Sequence, residues 1–219
     1  SCQPIQSIMG NSNATAFNPP SCQPKTLPEL DRLREQLSPT GKLLCFGDEG
    51  FEAARTMPTW NYDSMGVPSG IVVISCAQDV KAALAYASVN KIDLCIAAGR
   101  HSHWCMRNDA LVIDLSNLKK VEVNADARTV KVEPGAQWGD VDEACEPHGL
   151  GLTAGHDPST GVGGLVLHGG HGYLERMYGL TVDHMISANI ILVDGKEVTA
   201  SETENSDLFW AIRGGGGIW

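Results

Sequence analysis

A strand–helix–strand pattern between residues 70 and 99 constrains the fold of this chain more than any other feature. GIVVIS (70–75) is an apolar run typical of a buried strand, AQDVKAALAYASVN (77–90) has helical periodicity, and DLCIAAG (93–99) predicts a second strand. Strands joined by a helix within about thirty residues form a βαβ crossover, which requires a parallel pair. ALVIDLS (110–116) adds another strand. The first part of the fold is therefore expected to contain a parallel sheet.

The hydrophobic pattern changes after residue 118. KVEVNADARTVKVEPG (120–135) and SANIILVDGKEVTAS (187–201) alternate apolar and polar residues around polar turns, which is typical of antiparallel hairpins. WGDVDEACEPHG (138–149) predicts a helix between them. We therefore expect an α+β chain with a small parallel lobe, residues 67–118, and an antiparallel lobe, residues 119–217.

The residues before the parallel lobe differ in composition. Residues 1–27 are rich in Pro, Ser and Asn and contain SCQP twice, which favours a loosely ordered arm. Residues 28–66 predict a helical lead-in that begins with the amphipathic run PELDRLREQL (28–37). The chain starts at Ser1 without a Met or an apolar signal segment. This favours a processed chain, secreted or organellar, and leaves the compartment open.

Charge and composition exclude several classes of function. The formal net charge of −10 argues against a nucleic-acid partner, whose phosphates require a basic surface. No apolar run approaches the roughly 20 residues that span a bilayer, so we expect no membrane span. Seven cysteines without a CxxC pair argue against a zinc ribbon. The 24 glycines cluster near 161–172 and 214–217, which favours a site over a flexible linker.

Two glycine-containing loops are the candidate site. AAGRHSH (97–103) follows a predicted strand, and GHDPSTGVGG (155–164) precedes a glycine-dense segment. Unpaired backbone N–H groups at such turns bind anions, and glycine allows close approach to a phosphate. Two loops from different lobes could clamp a diphosphate. Neither matches a P-loop or a full GxGxxG, and a structural corner is the alternative.

Histidines near these loops raise a metal site as a second alternative. His101 and His103 lie close to Cys105 in sequence, and His168 and His171 lie within the glycine-dense segment. Glycine-rich flanks hold metal ligands poorly, and no acidic residue is expected to orient His168 or His171. The spacing therefore favours no metal, and Cys105 is interpreted as an ordinary buried thiol.

Five motifs in one order resemble a known family. They are FEAARTMPTWN, RHSHW, LVIDLSNLKKVEV with VEPGAQWGDV, STGVGGLVLHGGHGYLERMYGLTVDHM, and SDLFWAIRGGGG, and together they extend from about Phe51 to Gly217. The chain resembles flavoproteins with a vanillyl-alcohol-oxidase-type (PCMH-type) FAD-binding domain, in particular the berberine-bridge-enzyme-like oxidases. The resemblance implies that residues 67–217 form a two-lobed FAD-binding domain.

The resemblance also implies which residues contact FAD. His101 corresponds to the histidine that many family members bond covalently to the flavin ring, and a neutral imidazole is a suitable nucleophile for this. The other implied cofactor-binding residues are Gly99, Arg100, Ser102, Ser159, Thr160, Gly161, Gly163, Gly164, Gly169, Gly170 and Gly172.

Three departures from the family lie in or beside the two loops. Asp157 stands where doubly linked members have a cysteine, so a second covalent bond is excluded. Ala97 replaces the usual arginine of the family's R-x-G-G-H-S loop, and Arg100 replaces the glycine before the histidine. We expect Arg100 either to pair with the diphosphate or to shift the loop.

The implied activity is oxidation of a small molecule by hydride transfer to the flavin, with oxygen as the acceptor. The substrate would be an alcohol, a sugar hydroxyl or a C–H group beside nitrogen. In the family the substrate domain and the catalytic base follow the RGGGG turn, so they are expected on a second chain or on a segment absent here. No residue present is nominated as the base. The alternative is a non-catalytic flavin-binding subunit that stabilises a larger assembly.

Overall fold

A four-stranded mixed sheet forms the centre of the first half of the chain. The computed structural model describes residues 23–58 and 65–216. The strands are β1 (Lys42–Cys45), β2 (Gly70–Val73), β3 (Leu94–Ala97) and β4 (Leu111–Asp114). Their order is β1-β2-β4-β3, with β1 antiparallel to β2 and the other pairs parallel.

The predicted crossover is confirmed, but its two strands are not neighbours. Helix α3 (Ala77–Asn90) connects β2 to β3, and β4 lies between these strands and pairs with both. All four residues of β4 are buried, as expected for a strand covered on both faces. Strand β4 therefore takes the central position, which the sequence pattern did not predict.

Each face of this sheet packs against its own apolar cluster. Val72, Leu111 and Ile113 pack with α3, and α1 (Leu30–Gln36) lies against the same cluster. Val112 and its neighbours pack with α2 (Phe51–Arg55) on the other face. The central strand β4 is buried on both faces, whereas the edge strands β1 and β3 each have one exposed residue. The centre of the sheet is therefore a rigid base for the loops at its edge.

The buried carboxylate of Asp79 anchors the start of α3. It accepts hydrogen bonds from the Ser75 and Ser38 N–H groups at 2.8 and 2.6 Å, and one from the Ser38 hydroxyl at 3.0 Å. Burial by itself would raise the pKa of Asp79, but these hydrogen bonds outweigh it and hold that pKa below its usual value. Asp79 thus replaces an N-cap and joins α3 to the segment before β1.

Both predicted hairpins are confirmed in the second half of the chain. Strand β5 (Val121–Asn124) pairs with β6 (Thr129–Val132), and β7 (Ser187–Ile191) pairs with β8 (Glu197–Ser201). The second turn contains Gly195 with a φ of +82°, as an Asp-Gly turn requires. The remaining helices are α4 (Trp138–Cys145), α5 (Val162–Leu167), α6 (Glu175–Tyr178) and α7 (Ser206–Ile212).

The segment before α1 is more ordered than the expected arm. Residues 1–22 lie outside the described residues. Leu27, however, is buried against the first apolar cluster, and Lys25 forms an ion pair with Asp109. The N-terminal arm therefore does not extend to residue 27, because Leu27 is part of the core.

The described residues give a mixed α/β fold with a largely parallel sheet before residue 118 and antiparallel hairpins after it. Within these residues no helix is long and apolar enough to cross a membrane.

Candidate functional site

The two glycine loops meet at Gly99 and Gly161. A Cβ atom added to Gly99 would lie 2.6 Å from the Cα of Gly161, and one added to Gly161 would lie 2.5 Å from the Cα of Gly99. Side chains do not tolerate such distances, so both positions require glycine. The structure thus brings together the two loops that the sequence singled out.

The first loop has a row of unpaired backbone donors. Within the described chain, the backbone N–H groups of residues 99–103 donate no hydrogen bond. The Ser102 hydroxyl accepts from the Trp104 N–H at 3.3 Å and caps a short 3-10 turn, His103–Cys105. Backbone N–H groups are obligatory donors, so five consecutive unpaired ones at a loop form a candidate anion site.

The second loop is fastened to the chain between β6 and α4 by backbone hydrogen bonds. These bonds are Trp138 N–H to the Thr160 carbonyl (3.0 Å), Gly139 N–H to Pro158 (2.9 Å), Val162 N–H to Ala136 (2.9 Å) and Gly163 N–H to Pro134 (3.2 Å). Among the described residues the Gly161 and Gly164 N–H groups have no hydrogen-bond acceptor. The N–H groups of residues 155–157 also lack an acceptor within the described chain, so the second loop has as many free donors as the first.

The glycines of the second loop differ in what they contact. Gly163 lies against Pro134, whose carbonyl oxygen would be 2.8 Å from an added Cβ, and its φ is not positive. Gly164 is exposed, with open space at its Cβ position. Close packing thus explains Gly163, whereas Gly164 remains accessible to a ligand.

Three further predicted glycines follow α5. Gly169 and Gly170 have positive φ, of +102° and +80°. A Cβ on Gly172 would lie 1.8 Å from the Ala154 carbonyl oxygen. These glycines allow the chain to turn back beneath the second loop, and Gly172 is buried rather than open to a ligand.

The imidazole of His101 connects the two loops. Its Nε2 lies 3.2 Å from the Ser159 carbonyl oxygen. A carbonyl only accepts hydrogen bonds, so Nε2 carries a proton and donates it; the tautomer with this proton has its lone pair at Nδ1. His101 is exposed, and the His103 ring lies against Trp104 with ring centroids 4.8 Å apart.

Asp157 occupies the donors of Ser159. The Asp157 carboxylate accepts the Ser159 hydroxyl at 2.7 Å and the Ser159 N–H at 2.8 Å. These two hydrogen bonds, with a smaller contribution from His101, hold the pKa of Asp157 below its usual value. The polar donors of Ser159 therefore point to Asp157, and its carbonyl oxygen faces His101.

Arg100 pairs with a buried carboxylate that the sequence did not single out. Its Nη2 donates to Asp114 at the end of β4 and lies 3.4 Å from the Ser116 hydroxyl. Asp114 is fully buried, and Nη2 of Arg100 is committed to it, whereas the buried Nε of Arg100 has no hydrogen-bond partner among the described residues. The sequence offered one signal for this ion pair. Position 97, where the family usually has arginine, holds alanine, and the next predicted strand ends in an aspartate, Asp114.

The remaining histidines have protein partners. His168 Nδ1 donates to the Gly164 carbonyl at 2.7 Å. His171 Nδ1 lies 2.8 Å from a Glu175 carboxylate oxygen, and this contact lowers the pKa of Glu175. The expectation that no acidic residue orients His171 was wrong, because the turn before α6 places the Glu175 carboxylate next to the His171 ring. Within residues 23–58 and 65–216 no three His, Cys, Asp or Glu side chains are grouped to hold a metal.

Cys105 is buried next to the first loop. Its Sγ contacts the Met57 Sδ at 3.5 Å, and burial raises the pKa of the thiol to about 11. The interpretation of Cys105 as a buried thiol is confirmed.

An exposed aromatic surface lies beside the loops. Tyr173, Met177 and Tyr178, on and before α6, are exposed by 83%, 76% and 57%. The His156 ring packs edge-on against Tyr173 at 4.5 Å. Several large apolar side chains exposed together are typical of a contact surface for protein or ligand.

Comparison with known proteins places this geometry in context. The family model described as "FAD binding domain" matches residues 68–201. The FAD-linked oxidoreductase pgmH of Aspergillus terreus is 38% identical over 171 residues, which cover 77% of this chain and 34% of that protein. A chitooligosaccharide oxidase of Gibberella zeae is 38% identical over 154 residues, 68% of this chain and 31% of its own length.

Solved structures agree with the sequence comparison. The crystal structure of 6-hydroxy-D-nicotine oxidase from Arthrobacter nicotinovorans superposes with a TM-score of 0.78 and 28% identity. The superposition covers 82% of this chain and 40% of the oxidase. The chain thus spans between 31% and 40% of the length of these proteins.

Proposed function

The chain belongs to the family of FAD binding domains, and we propose that it is the cofactor-holding part of a flavin-dependent oxidoreductase. The observation that carries this proposal is the crossing of two loops at Gly99 and Gly161, where both loops have unpaired N–H groups. A diphosphate carries several acceptor oxygens and needs donors from more than one direction. Two loops from different parts of the fold meet this requirement.

Both loops would contribute donors to the diphosphate. The N–H groups of Gly99 to His103 would donate from one side, and those of Gly161 and Gly164 from the other. The positive-φ turn at Gly169 and Gly170 is held by hydrogen bonds from the Thr181 and Val182 N–H groups. Thr160, Ser102 and Gly163 would lie next to the bound group without being its main donors. Bound FAD would supply the hydride acceptor of the reaction.

FAD is preferred over FMN because a single phosphate does not need two loops. Proteolysis of the full-length protein followed by mass spectrometry of the flavin distinguishes the two cofactors. The expected product contains adenine. Recovery of FMN alone would count against the arrangement of the two loops around a diphosphate.

His101 would be the site of covalent flavin attachment. The hydrogen bond from Nε2 to the Ser159 carbonyl fixes the ring and selects the tautomer with its lone pair at Nδ1, so Nδ1 would be the atom that forms the bond. In the full-length protein, flavin should remain with the polypeptide through acid precipitation. The His101→Ala variant should release it, and His103→Ala, the matched control two positions away, should not. A yellow supernatant from the unmutated protein would refute the covalent bond and leave FAD binding intact.

The proposed reaction is oxidation of an alcohol, a sugar hydroxyl or a C–H group beside nitrogen, with oxygen as acceptor. The names of the relatives support this range: one is a chitooligosaccharide oxidase and another a 6-hydroxy-D-nicotine oxidase. The test is anaerobic addition of oligosaccharides, alcohols and cyclic amines to the full-length protein. Substrate should bleach the visible flavin absorbance, and oxygen should restore it. Bound flavin that no such compound reduces would indicate a non-catalytic flavin-binding subunit.

The substrate domain and the catalytic base would lie outside this chain, on a further segment or a second chain. The exposed Tyr173, Met177 and Tyr178 support this, since they would be covered by that domain in the complete protein. Hydrogen exchange can compare this chain alone with the full-length protein. Residues 173–178 should exchange more slowly in the full-length protein, while the exposed turn at Asp194 should be unchanged. Equal exchange at residues 173–178 would contradict the proposal. We also propose that the FAD-binding domain divides into two lobes at residue 118.

A further inference from the structure

Asp114 is a fully buried carboxylate at the edge of the sheet beside the site. One oxygen accepts the Ser116 N–H at 3.0 Å, and the other accepts from the Arg100 guanidinium. Among the described residues, Arg100 is the cation that forms a salt bridge with it. A buried carboxylate without a partner is strongly destabilising, so Asp114 depends on Arg100.

Arg100 reaches Asp114 from an unusual backbone conformation. Its φ is +57°, in the left-handed region that favours glycine. Arginine at this position costs conformational free energy that glycine would avoid. The ion pair with Asp114 is the interaction that can offset this cost.

A less strained position for the guanidinium exists in the same sheet. Ala97 on β3 is the register partner of Asp114 on β4, and Ala97 is fully buried. Alternation along the strands puts both side chains on the sheet face that also carries Val112. An arginine at position 97 would therefore lie next to Asp114 and would leave position 100 free for glycine.

The first loop has few other attachments. No backbone hydrogen bond is donated by residues 99–103 within the described chain, and the loop contacts the second loop through Gly99 and His101. The Arg100–Asp114 pair joins the middle of this loop to the rigid sheet. His101 is the next residue, so the direction of its side chain depends on the turn at Arg100.

We propose that Arg100 is the positioning residue of the first glycine loop. By pairing with buried Asp114 it holds the left-handed turn and so keeps His101 against the Ser159 carbonyl. It thereby combines in one residue what an arginine at position 97 and a glycine at position 100 would do separately. Its consequence for the flavin rests on the proposed function, whereas its effect on the loop does not.

Relocating the guanidinium tests this directly in the full-length protein. Arg100→Gly should lower the folding equilibrium constant by roughly a hundredfold, since it leaves Asp114 buried without a cation. Ala97→Arg/Arg100→Gly should recover most of that loss. Arg100→Gly/Asp114→Asn should also be more stable than Arg100→Gly, because it removes both charges. Arg107→Gly is the matched control: its partner Asp93 is exposed, so little change is expected.

A second readout separates positioning from stability. NMR of the His101 imidazole in the cofactor-free protein reports whether Nε2 still donates to Ser159. That signal should be lost in both Arg100→Gly/Asp114→Asn and Ala97→Arg/Arg100→Gly, because neither variant has a side chain that joins residue 100 to Asp114. The acid-stable flavin fraction, measured in parallel, should fall with it, even though the second variant regains stability.

Three outcomes would overturn the proposal. They are a fully stable Arg100→Gly, a relocated variant no more stable than Arg100→Gly, and an unchanged His101 signal in Arg100→Gly/Asp114→Asn. A protein that binds no FAD but shows the rescue and the His101 effect would refute the proposed function alone.

Discussion

The two glycine loops have similar compositions and are held in opposite ways. The loop after β3 is held by side-chain contacts, the Arg100–Asp114 ion pair and the His101–Ser159 hydrogen bond, and leaves the N–H groups of residues 99–103 unpaired. The loop before α5 is held by backbone hydrogen bonds to residues 134–139, and within the described chain its N–H groups at residues 155–157, 161 and 164 are unpaired. Similar glycine content therefore does not mean similar support: one loop depends on side chains and the other on the backbone.

The difference follows from what lies beneath each loop. The first loop emerges from a sheet with an apolar cluster on each face, and such a sheet can support an open loop through a few side-chain contacts. The second loop lies over the β5–β6 hairpin and α4, where the strands alternate between half-buried and exposed residues. The backbone hydrogen bonds to residues 134–139 compensate for this less extensive packing.

The largest effect is expected at the crossing of the loops. Gly161→Val should destabilise the chain by about 3 kcal/mol and abolish FAD binding, because its side chain would collide with the Gly99 backbone. Urea unfolding and FAD titration measure both effects.

Gly164→Ala is the control for that substitution. It should change stability by less than about 0.5 kcal/mol, since its Cβ would enter open space, and should weaken FAD binding only moderately. A stable, FAD-binding Gly161→Val would show that the loops do not cross as described.

A smaller effect is expected where the second loop is fastened. Gly163→Ala should cost about 2 kcal/mol, because the new methyl group would lie 2.8 Å from the Pro134 carbonyl oxygen. Gly151→Ala, whose Cβ meets no atom within 4 Å, should be neutral or slightly stabilising. If Gly163→Ala reduces FAD affinity without reducing stability, Gly163 contacts the cofactor more than it contacts Pro134.

The buried end of the first loop should show a pH dependence. The pKa of Cys105 is about 11 in the folded chain against a usual 9.0, so the unfolded chain releases the thiol proton at lower pH. This contribution to the free energy of unfolding is complete below about pH 9 and is lost as the pH rises to about 11, by on the order of 2 kcal/mol. Chemical unfolding of Cys105→Ala should show a shallower slope over this range. Equal slopes would mean that the thiol is accessible to water.

The smallest effect is expected at the ion pair that joins α3, which packs on the four-stranded sheet, to the β7–β8 hairpin. Lys81 on α3 and Glu197 on β8 form an ion pair at 2.8 Å, with side chains exposed by 44% and 59%. Lys81→Ala should change the free energy of unfolding by less than about 0.5 kcal/mol, and added salt should reduce the difference further. A loss above about 1 kcal/mol would show that the sheet and the β7–β8 hairpin depend on this pair.

The strands, the crossover helix and both hairpins could be predicted because they are local. Apolar runs, alternation and the Asp194-Gly195 turn depend on neighbours in sequence. The insertion of β4 between β2 and β3 could not, since strand order depends on which faces are buried after the whole sheet has formed. The His171–Glu175 contact was missed for a simpler reason: its spacing of four residues is visible only if the turn is expected to be helical.

By itself, the sequence determined which segments are helices and strands and which two loops contain the candidate site. Local propensity and motif order depend only on residues close together in the sequence, so both can be read without the tertiary structure. Only the tertiary structure decided what those loops do. The contact of Gly99 with Gly161, the direction of the Ser159 donors toward Asp157 and the pairing of Arg100 with Asp114 depend on side chains and backbone that fold together. The contact at Gly99 and Gly161 joins residues far apart in sequence, and a residue type does not record which distant group satisfies its hydrogen bonds or its charge.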